Sequence, residues 1–307
     1  MLTRYSKIVI LGSGVWGSAL GTLFSYNSPN VFIWSRSSLE PLDRILADAE
    51  VILSAVSVVG LYPTLKRLQS LKIPSTTLLV TATKGLDPET TQTPSQIWQK
   101  FYPHHQVVVL SGPNLSKEIQ KGLPAATVVS SKNIAAAKII QHALSCELMR
   151  VYINTDPLGT ELGGTLKNVM AIAAGVCDGL SLGTNAKAAL LTRALPEMIR
   201  IGNVFGSKPE TFFGLSGLGD LLATCSSPLS RNYQVGFQLA KGLGLKEILE
   251  HLEGTAEGIN TTRVLMQIAQ KQKLYLPITQ EVNRLLEGNI TPQESVKFIM
   301  ERDLKSE

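Results

Sequence analysis

The stretch KIVILGSGVWGSALG, residues 7–21, decides the fold. An apolar run ends in Gly12-x-Gly14-x-x-Gly17, and residues typical of a helix follow. Gly12 permits a tight turn, Gly14 lets the backbone approach a pyrophosphate, and Gly17 allows the helix to pack closely on the strand. The start of the helix offers free N–H groups and a positive dipole end to phosphates. The motif predicts a dinucleotide-binding turn, and the alternative is a glycine-rich turn without a ligand.

The rest of the first half alternates β-rich runs with helical patterns. These runs are nearly continuous in apolar residues, as in strands buried on both faces of a parallel sheet. Helical segments such as residues 133–145 separate several of them. The pattern predicts an α/β fold with a doubly wound sheet. The predicted strands are 7–12, 31–35, 51–56, 77–82, 106–112, 126–131 and 149–153.

After NTDP, residues 154–157, the strand patterns stop and helical periodicity continues almost to the end of the chain. Gly and Pro residues punctuate these helical segments. We therefore place a domain boundary near Asp156. Residues 1–155 form the predicted dinucleotide-binding domain, and residues 156–307 form a second domain that is almost entirely helical.

The composition disfavours several function classes. The chain has 307 residues and three cysteines without CxxC or metal-ligand spacing, so we expect no disulfide framework, no metal site and a reducing cytoplasm. The first strand starts too early for a signal peptide, and no apolar run reaches the roughly 18 residues of a membrane span. The Lys and Arg residues behind the net charge of +5 are scattered, which disfavours nucleic acid and favours a small anionic partner. A homodimer is expected only because symmetric dimers are common.

The choice of cofactor depends on the end of the second predicted strand, IWSRSS at residues 33–38. An NAD enzyme commonly has an acidic residue here that binds the ribose. Arg36 and the serine hydroxyls suit a 2′-phosphate instead, which favours NADP(H) and leaves NAD(H) as the second choice. The alternative for Arg36 is a solvated charge at a strand end. The rings of Trp16 and Trp34 fit ordinary packing.

Ligands of open α/β sheets bind beyond the carboxyl ends of the strands. The loop TATKGL, residues 81–86, places Lys84 there, and we expect its ammonium group to point into the crevice. The alternative is a surface lysine. The loop SGPN, residues 111–114, offers backbone N–H groups near the cofactor, although an ordinary turn has the same appearance. The four histidines lie outside such loops, so we expect lysine rather than histidine to transfer a proton.

Lys167 lies in GGTLKNVMAIAAGV, residues 163–176, a largely apolar helical segment. An isolated ammonium group is costly to bury, so its pKa should fall toward neutrality. Such an amine suits a proton donor to a developing alkoxide, and Asn168 beside it can hold a substrate oxygen. The alternative is a lysine at the wet end of the helix, whose side chain reaches water.

Two later segments add carboxylates. In GLSGLGDLLATC, residues 214–225, Asp220 and Thr224 are four apart and share a helix face, where Asp220 can pair with a catalytic ammonium group. In AEGINTT, Glu257 precedes a helix predicted to begin near Ile259, and its charge can meet the nicotinamide ribose. Acidic residues are also common in first turns because they stabilise the helix dipole.

PLSRN, residues 228–232, has the pattern of a helix start with Ser230 as N-cap. Arg231 and Asn232 then occupy the first turn. An arginine there opposes the helix dipole, so we interpret it as a ligand for a phosphate or carboxylate. A solvent-facing Arg231 is the alternative.

The chain resembles the NAD(P)-dependent glycerol-3-phosphate dehydrogenases of the bacterial type. The resemblance covers essentially the whole sequence, and several of its motifs are distinctive. It rests on GSGVWGSAL, ATKGL, SGPNLSKE, GTLKNVMAIAAGVCDGL, NAKAALLTRALPEM, GLSGLGDLLATC, LSRNYQVG, AEGINTT and LPITQEV, in this order. It implies a Rossmann-like doubly wound sheet followed by a mostly α-helical substrate domain similar to the C-terminal domain of 6-phosphogluconate dehydrogenase.

The resemblance also implies an activity: reversible reduction of dihydroxyacetone phosphate to sn-glycerol 3-phosphate, which feeds phospholipid synthesis. By this resemblance, Lys167 donates and accepts the proton, Lys84 binds and polarises the substrate, and Asp220 completes the catalytic set. The implied substrate contacts are Lys84, Gly112, Asn114, Lys167, Asn168, Asp220, Ser230, Arg231 and Asn232. The implied cofactor contacts are Gly12, Ser13, Gly14, Val15, Trp16, Gly17, Arg36, Lys84, Ser116, Arg231 and Glu257.

The sequence departs from the family pattern in three places. SGPNLS stands where the family usually has SGPSFA, so Asn114 and Ser116 replace a serine and an alanine. AVS replaces the usual AVP. The long segment that the family carries after the second strand, with an N-x-x-Y-L-P-like motif, is missing, and a short link leads to the third strand instead. We expect this shortened loop to alter closure over the cofactor or contacts between subunits.

Two other functions remain open on the residues alone. One is a related reductase of a carboxylate substrate, such as a β-hydroxyacid or ketopantoate dehydrogenase, because an arginine at a helix N-terminus binds carboxylate as well as phosphate. The other is a catalytically silent dinucleotide sensor. We would expect such a sensor to lack Lys167 or Asp220, and both are present.

Overall fold

Seven strands form one sheet in the computed structural model, which describes residues 7–303. In chain order they are β1 (Ile8–Leu11), β2 (Val31–Trp34), β3 (Val51–Ser54), β4 (Leu78–Thr81), β5 (Val107–Ser111), β6 (Ala125–Ser130) and β7 (Met149–Asn154). Their spatial order is β2-β1-β3-β4-β5-β6-β7. The order reverses between β1 and β3, which is where open α/β sheets bind ligands. The predicted doubly wound fold is confirmed, with small differences at the strand ends.

The helices are numbered in chain order as well. Those that connect the strands are α1 (Val15–Ser25), α2 (Leu42–Leu46), α3 (Val58–Gln69), α4 (Pro94–Phe101), α5 (Ser116–Ile119) and α6 (Ile134–Leu144). Those that follow the sheet are α7 (Pro157–Gly179), α8 (Gly183–Phe205), α9 (Asp220–Cys225), α10 (Arg231–Ala240), α11 (Leu245–His251), α12 (Glu257–Gln272), α13 (Pro277–Leu286) and α14 (Pro292–Met300). The predicted division between residues 1–155 and 156–307 falls between β7 and α7 and stays a prediction.

The expectation of a parallel sheet buried on both faces is wrong in two places. β6 runs antiparallel to β5, whereas the other neighbouring strands are parallel. A parallel pair needs a crossover, usually through a helix, and the single turn of α5 is too short to carry the chain back across the sheet. The edge strands are not buried on both faces, since β2 exposes Phe32 and Ile33 and β7 exposes Tyr152.

Helix α7 is the centre of the helical half. Most of its apolar side chains are buried, and Leu166 and Val169 among them are fully buried. Two glycines let α10 approach it closely. A Cβ on Gly175 would collide with the main-chain oxygen of Tyr233, and a Cβ on Gly236 would collide with that of Ile172. A helix that is buried on all sides explains the long apolar run of its sequence.

Three further properties of residues 7–303 bear on function. None of their helices is both long enough and apolar enough to cross a bilayer. They contain no group of three or more His, Cys, Asp and Glu side chains suited to hold a metal ion. The cysteines Cys146, Cys177 and Cys225 are free.

Candidate active site

The glycine-rich turn after β1 has the geometry that a pyrophosphate needs. Gly12 has a φ of +118°, and a Cβ there would lie 2.9 Å from the oxygen of Ala55. A Cβ on Gly17 would collide with the Gly12 oxygen, so the helix packs against the turn as the motif predicts. Beside Gly14 the space is open, and α1 starts there without a side-chain cap. The turn and the free helix start therefore fit a dinucleotide.

A cleft of about 770 Å³ lies between the carboxyl edge of the sheet and the start of α10 and α12. It brings together side chains from the glycine-rich turn, the loops after β4 and β5, α7 and the helical half. The predicted site residues that line it are Gly14, Val15, Trp16, Lys84, Asn114, Ser116, Lys167, Asn168, Ser230, Arg231, Asn232 and Glu257. Those that do not line it are Gly12, Ser13, Gly17, Arg36, Gly112 and Asp220.

Two lysines and one carboxylate meet at one side of this cleft. Lys84 Nζ lies 2.7 Å from Oδ2 of Asp220, and Lys167 Nζ lies 2.6 Å from Oδ1 of the same residue. Lys167 also donates to Oγ1 of Thr224 at 2.5 Å, and Thr224 donates to Asp220 Oδ1 at 3.1 Å. Asp220 is 1% exposed and lies behind the two ammonium groups.

The surroundings of Lys167 shift its titration. Burial lowers the pKa of Lys167 to about 8, the carboxylate of Asp220 opposes this, and the charge of Lys84 adds to the lowering. The side chain is only 9% exposed, so the alternative of a lysine that reaches bulk water is wrong. An amine that titrates near neutral pH beside an open cleft can both give and take a proton.

The start of α10 forms another wall of the cleft. Ser230 is its N-cap and accepts a hydrogen bond from the Tyr233 N–H, as the sequence indicates. Arg231 is exposed toward the cleft, and the first turn carries no acidic residue. Asn232 is held from both sides, since it donates to Asn168 Oδ1 at 3.0 Å and accepts from the N–H of Gly258 at 2.9 Å. This wall is suited to bind an anion.

The loop after β5 is fixed by the side chain of Asn114. Its Nδ2 donates to the oxygen of Ala126 at 3.1 Å, and its Oδ1 accepts from the hydroxyl of Thr127 at 2.8 Å. The oxygen of Gly112 lies 3.5 Å from Lys84 Nζ. Ser116 begins α5 at the edge of the cleft. The replaced serine and alanine positions of this loop thus remain part of the cleft wall.

Glu257 belongs to the cleft but differs from its prediction in one respect. Helix α12 begins at Glu257 itself rather than near Ile259, because Ala256 already occupies the cap position. Burial raises the pKa of this carboxyl to about 7, while a hydrogen bond with the backbone of Val58 and the charge of Arg231 oppose the rise. Glu257 thus connects α12 with the first turn of α3.

Arg36 lies apart from the main cleft. It lines a separate groove of about 350 Å³ beside Trp34, together with Arg67 and the two carboxylates Glu40 and Asp43. This groove adjoins the end of β2, where the ribose end of a dinucleotide binds in such folds. The short link after β2 forms the single turn α2 and leaves this groove open.

Sequence reasoning did not identify several residues of the cleft. His251, at the exposed end of α11, lines its mouth, and its Nδ1 lies 2.9 Å from the Glu247 oxygen. Lys117 and Glu253 also line the mouth and lie 3.7 Å apart. No local pattern marks these residues, because only the folded chain brings the end of α11 and the loop after it close to Lys117 on α5.

The sheet, its open glycine-rich turn and the two lysines that share the buried Asp220 define a dinucleotide-dependent oxidoreductase that acts on a small anionic substrate. Profiles of the two parts of NAD-dependent glycerol-3-phosphate dehydrogenase match the chain, the N-terminus over residues 7–45 and 38–137 and the C-terminus over residues 156–297. The chain belongs to the NAD-dependent glycerol-3-phosphate dehydrogenase family.

Individual relatives agree with this assignment. A glycerol-3-phosphate dehydrogenase (NAD(P)+) of Acaryochloris marina is 60% identical over 302 residues, which cover 98% of this chain and 97% of the relative. One from Synechocystis is 59% identical over 301 residues, 98% of this chain and 95% of the relative. The crystal structure of a glycerol-3-phosphate dehydrogenase from Coxiella burnetii has a TM-score of 0.93 at 33% identity, with 98% of this chain and 100% of that chain covered.

Proposed function

We propose that the protein is an NAD(P)-dependent glycerol-3-phosphate dehydrogenase that interconverts dihydroxyacetone phosphate and sn-glycerol 3-phosphate. The observation that carries the proposal is the buried amine of Lys167, paired with Asp220 beside a cleft whose wall is the cationic start of α10. Membership in the family and the names of the relatives support this substrate. The product of the reduction, sn-glycerol 3-phosphate, feeds phospholipid synthesis.

An excess of positive charge favours a phosphate over a carboxylate. Four cationic side chains and two carboxyl groups line the cleft, namely Lys84, Lys117, Lys167, Arg231, Glu253 and Glu257. The carboxylate of Asp220 behind them is shared by Lys84 and Lys167. A dianion gains more from such an excess than a single carboxylate does. We assign the phosphate to the first turn of α10 and the carbonyl end to the lysine pair. The substrate contacts proposed beyond the lysine pair are Gly112, Asn114, Asn168, Asp220, Ser230, Arg231 and Asn232.

Lys167 is the proton donor of the reduction. When negative charge develops on the substrate oxygen, Lys167 Nζ gives it one proton and is left as a neutral amine. Asp220 and Thr224 hold that amine in place through their hydrogen bonds. The ammonium group of Lys84 polarises the carbonyl and stabilises the developing charge. In the reverse direction the neutral amine takes the proton from the alcohol.

The residues present fit a nicotinamide dinucleotide, whose chemical contribution when bound is a hydride. The open space beside Gly14 and the start of α1 suit its pyrophosphate. NADP(H) is favoured because Arg36 follows β2 where an NAD enzyme commonly has an acid, and NAD(H) is the second choice. The contacts proposed are Gly12, Ser13, Gly14, Val15, Trp16, Gly17, Arg36, Lys84, Ser116, Arg231 and Glu257.

One assay tests the function. Purified protein is mixed with NADPH and, in turn, with dihydroxyacetone phosphate, ketopantoate and a 3-oxo acid, and NADPH oxidation is followed. We expect kcat/KM for dihydroxyacetone phosphate to be larger by roughly 100-fold or more. Equal or inverted values would assign the protein to the carboxylate reductases. Binding of NADPH without oxidation by any of the three would indicate a silent sensor.

The compartment and the oligomeric state are proposals too. We infer a homodimer, supported by the general frequency of twofold assemblies. We also infer a cytoplasmic location, supported by the free cysteines. Light scattering on the purified protein tests the dimer, which should have twice the 33.2 kDa mass of one chain. The mass of a single chain would contradict it.

A further inference from the structure

The loop that carries Lys84 joins β4 to α4 and is held by side chains of the helical half. The hydroxyl of Thr165, on α7, accepts a hydrogen bond from the backbone N–H of Gly85 at 3.0 Å. Gly85 directly follows Lys84 and has a φ of +132°, a conformation that residues with side chains rarely adopt. Thr165 therefore fixes the main chain at the residue next to the lysine.

A second acceptor holds the other end of the same loop. Glu161 lies one turn before Thr165 on the same face of α7. Its carboxyl group accepts hydrogen bonds from the N–H of Ser95 at 2.8 Å and from the Ser95 hydroxyl at 2.5 Å. Ser95 is in the first turn of α4, where the loop ends. Two buried side chains of one helix thus fix both ends of residues 85–95.

A third contact adds to this arrangement. Nδ2 of Asn260, on α12, donates to the oxygen of Leu86 at 2.9 Å. The lysine side chain itself is long and has many rotamers, so its ammonium group stays near Asp220 only if its main chain is fixed. We propose that Thr165, together with Glu161, is a positioning residue that keeps the ammonium group of Lys84 on Asp220. This inference rests on the role proposed for Lys84 in the reaction.

Loss of this positioning has a consequence for Lys167. Asp220 would bind Lys167 alone, and the positive charge of Lys84 would move away. Both changes raise the pKa of Lys167, because in the intact site Asp220 raises it and Lys84 lowers it. A residue with only a structural role would change stability or rate without moving this pKa.

The test compares three variants on α7. Thr165→Val replaces the hydroxyl by a methyl group, and Thr165→Ser keeps the hydroxyl. Thr160→Val is the matched control, since the hydroxyl of Thr160 is buried and has no hydrogen-bond partner within residues 7–303. We expect Thr165→Val to lower kcat by roughly tenfold or more, because a misplacement of about 1 Å can cost on the order of 100-fold.

Two further readouts separate positioning from other effects. NADPH binding, measured by protein fluorescence, should be unchanged in Thr165→Val. The pH at which reduction declines should move upward, and Thr165→Ser should restore both this pH and kcat. The inference is overturned if Thr165→Val behaves like Thr160→Val, or if Thr165→Ser loses as much as Thr165→Val. If Thr165→Val does not fold, Thr165→Ala with Thr160→Ala as control decides in the same way.

A titration separates this inference from the proposed function. The pKa of Lys167 can be read by NMR of isotope-labelled lysine in the full chain, without any substrate. An upward shift in Thr165→Val supports the positioning role, and an unchanged pKa contradicts it. If the wild-type protein does not reduce dihydroxyacetone phosphate, the proposed function fails while the NMR result still decides about Thr165.

Discussion

Lys84 and Lys167 bind opposite oxygens of a single carboxylate, that of Asp220, at 2.7 and 2.6 Å. Lys84 follows a strand of the sheet, whereas Lys167 lies in the central helix α7, so the two halves of the molecule meet at this carboxylate. Two ammonium groups that share one negative charge keep a net positive charge. Such a site stabilises a carbonyl oxygen that becomes negative during reduction.

Replacing Lys167 tests the proton donor directly. We expect Lys167→Ala to fold, because the change also removes the cost of burying an ammonium group while Asp220 keeps Lys84 as partner. It should bind NADPH as the wild type does, and kcat should fall by about 10²- to 10⁴-fold. Steady-state kinetics and fluorescence binding measure the two effects. Lys187→Ala is the control, since Lys187 pairs with Asp178 outside the cleft. Substantial activity in Lys167→Ala would reject its role.

The two directions of the reaction should respond to pH in opposite ways. Burial lowers the pKa of Lys167 to about 8. Reduction needs the ammonium form, so its kcat/KM should fall as the pH rises through about 8. Oxidation needs the neutral amine and should rise through the same pH. Profiles of kcat/KM for both substrates measure this. A change in the same direction for both, or a decline only near the ordinary lysine pKa, would contradict the assignment.

Removing the charge of Asp220 should lower the pH at which reduction declines. In Asp220→Asn the carboxylate no longer opposes burial, while Lys84 still repels Lys167, so the pKa of Lys167 should fall below about 8. Reduction should then decline at a lower pH than in the wild type. Asp178→Asn, which removes the carboxylate paired with Lys187, serves as control. An upward or absent shift in Asp220→Asn would show that Asp220 does not set the titration.

Much of this site could be predicted from short-range patterns. The glycine-rich turn, the Ser230 cap and the buried Lys167 each depend on residues within a few positions of one another, and local steric and dipole effects fix such features. The direction of β6 could not be predicted, because an apolar run has the same sequence whether its neighbour is parallel or antiparallel. The structure supplies that information through the short connection at α5.

Contacts between distant segments could not be predicted for a different reason. The sequence suggested that Asp220 pairs with an ammonium group. That two lysines share it follows from the packing of the β4–α4 loop against α7 and α9 in the folded chain. Glu161 and Thr165 look ordinary in the sequence, since Thr has no charge and a single acid in a helix is common. Their partners, Ser95 and Gly85, lie on a loop that only the folded chain brings to α7.

The charge of Arg36 should set the choice between the two dinucleotides. Arg36→Asp removes a ligand for a 2′-phosphate and supplies an acceptor for ribose hydroxyls. We expect the ratio of kcat/KM for NADPH to that for NADH to fall by roughly tenfold or more, in line with the loss of one to two charge-assisted hydrogen bonds. Arg44→Asp, a change of the same charge at an exposed residue of α2 that does not line the groove, is the control. An unchanged ratio in Arg36→Asp would count against the 2′-phosphate interpretation.

The buried carboxyl of Glu161 should make stability depend on pH. Burial raises its pKa from 4.5 to about 7, against the hydrogen bonds from Ser95. The folded state therefore binds this proton more tightly than the unfolded state does. The resulting contribution to the free energy of unfolding is complete below pH 4.5 and is lost as the pH rises through about 7, a loss of about 3 kcal/mol. Glu161→Gln keeps an acceptor oxygen but does not titrate. Denaturant unfolding at about pH 5 and about pH 8 should therefore show a smaller loss in Glu161→Gln than in the wild type. The exposed change Glu210→Gln should follow the wild type, and an equal loss in all three would contradict the assignment.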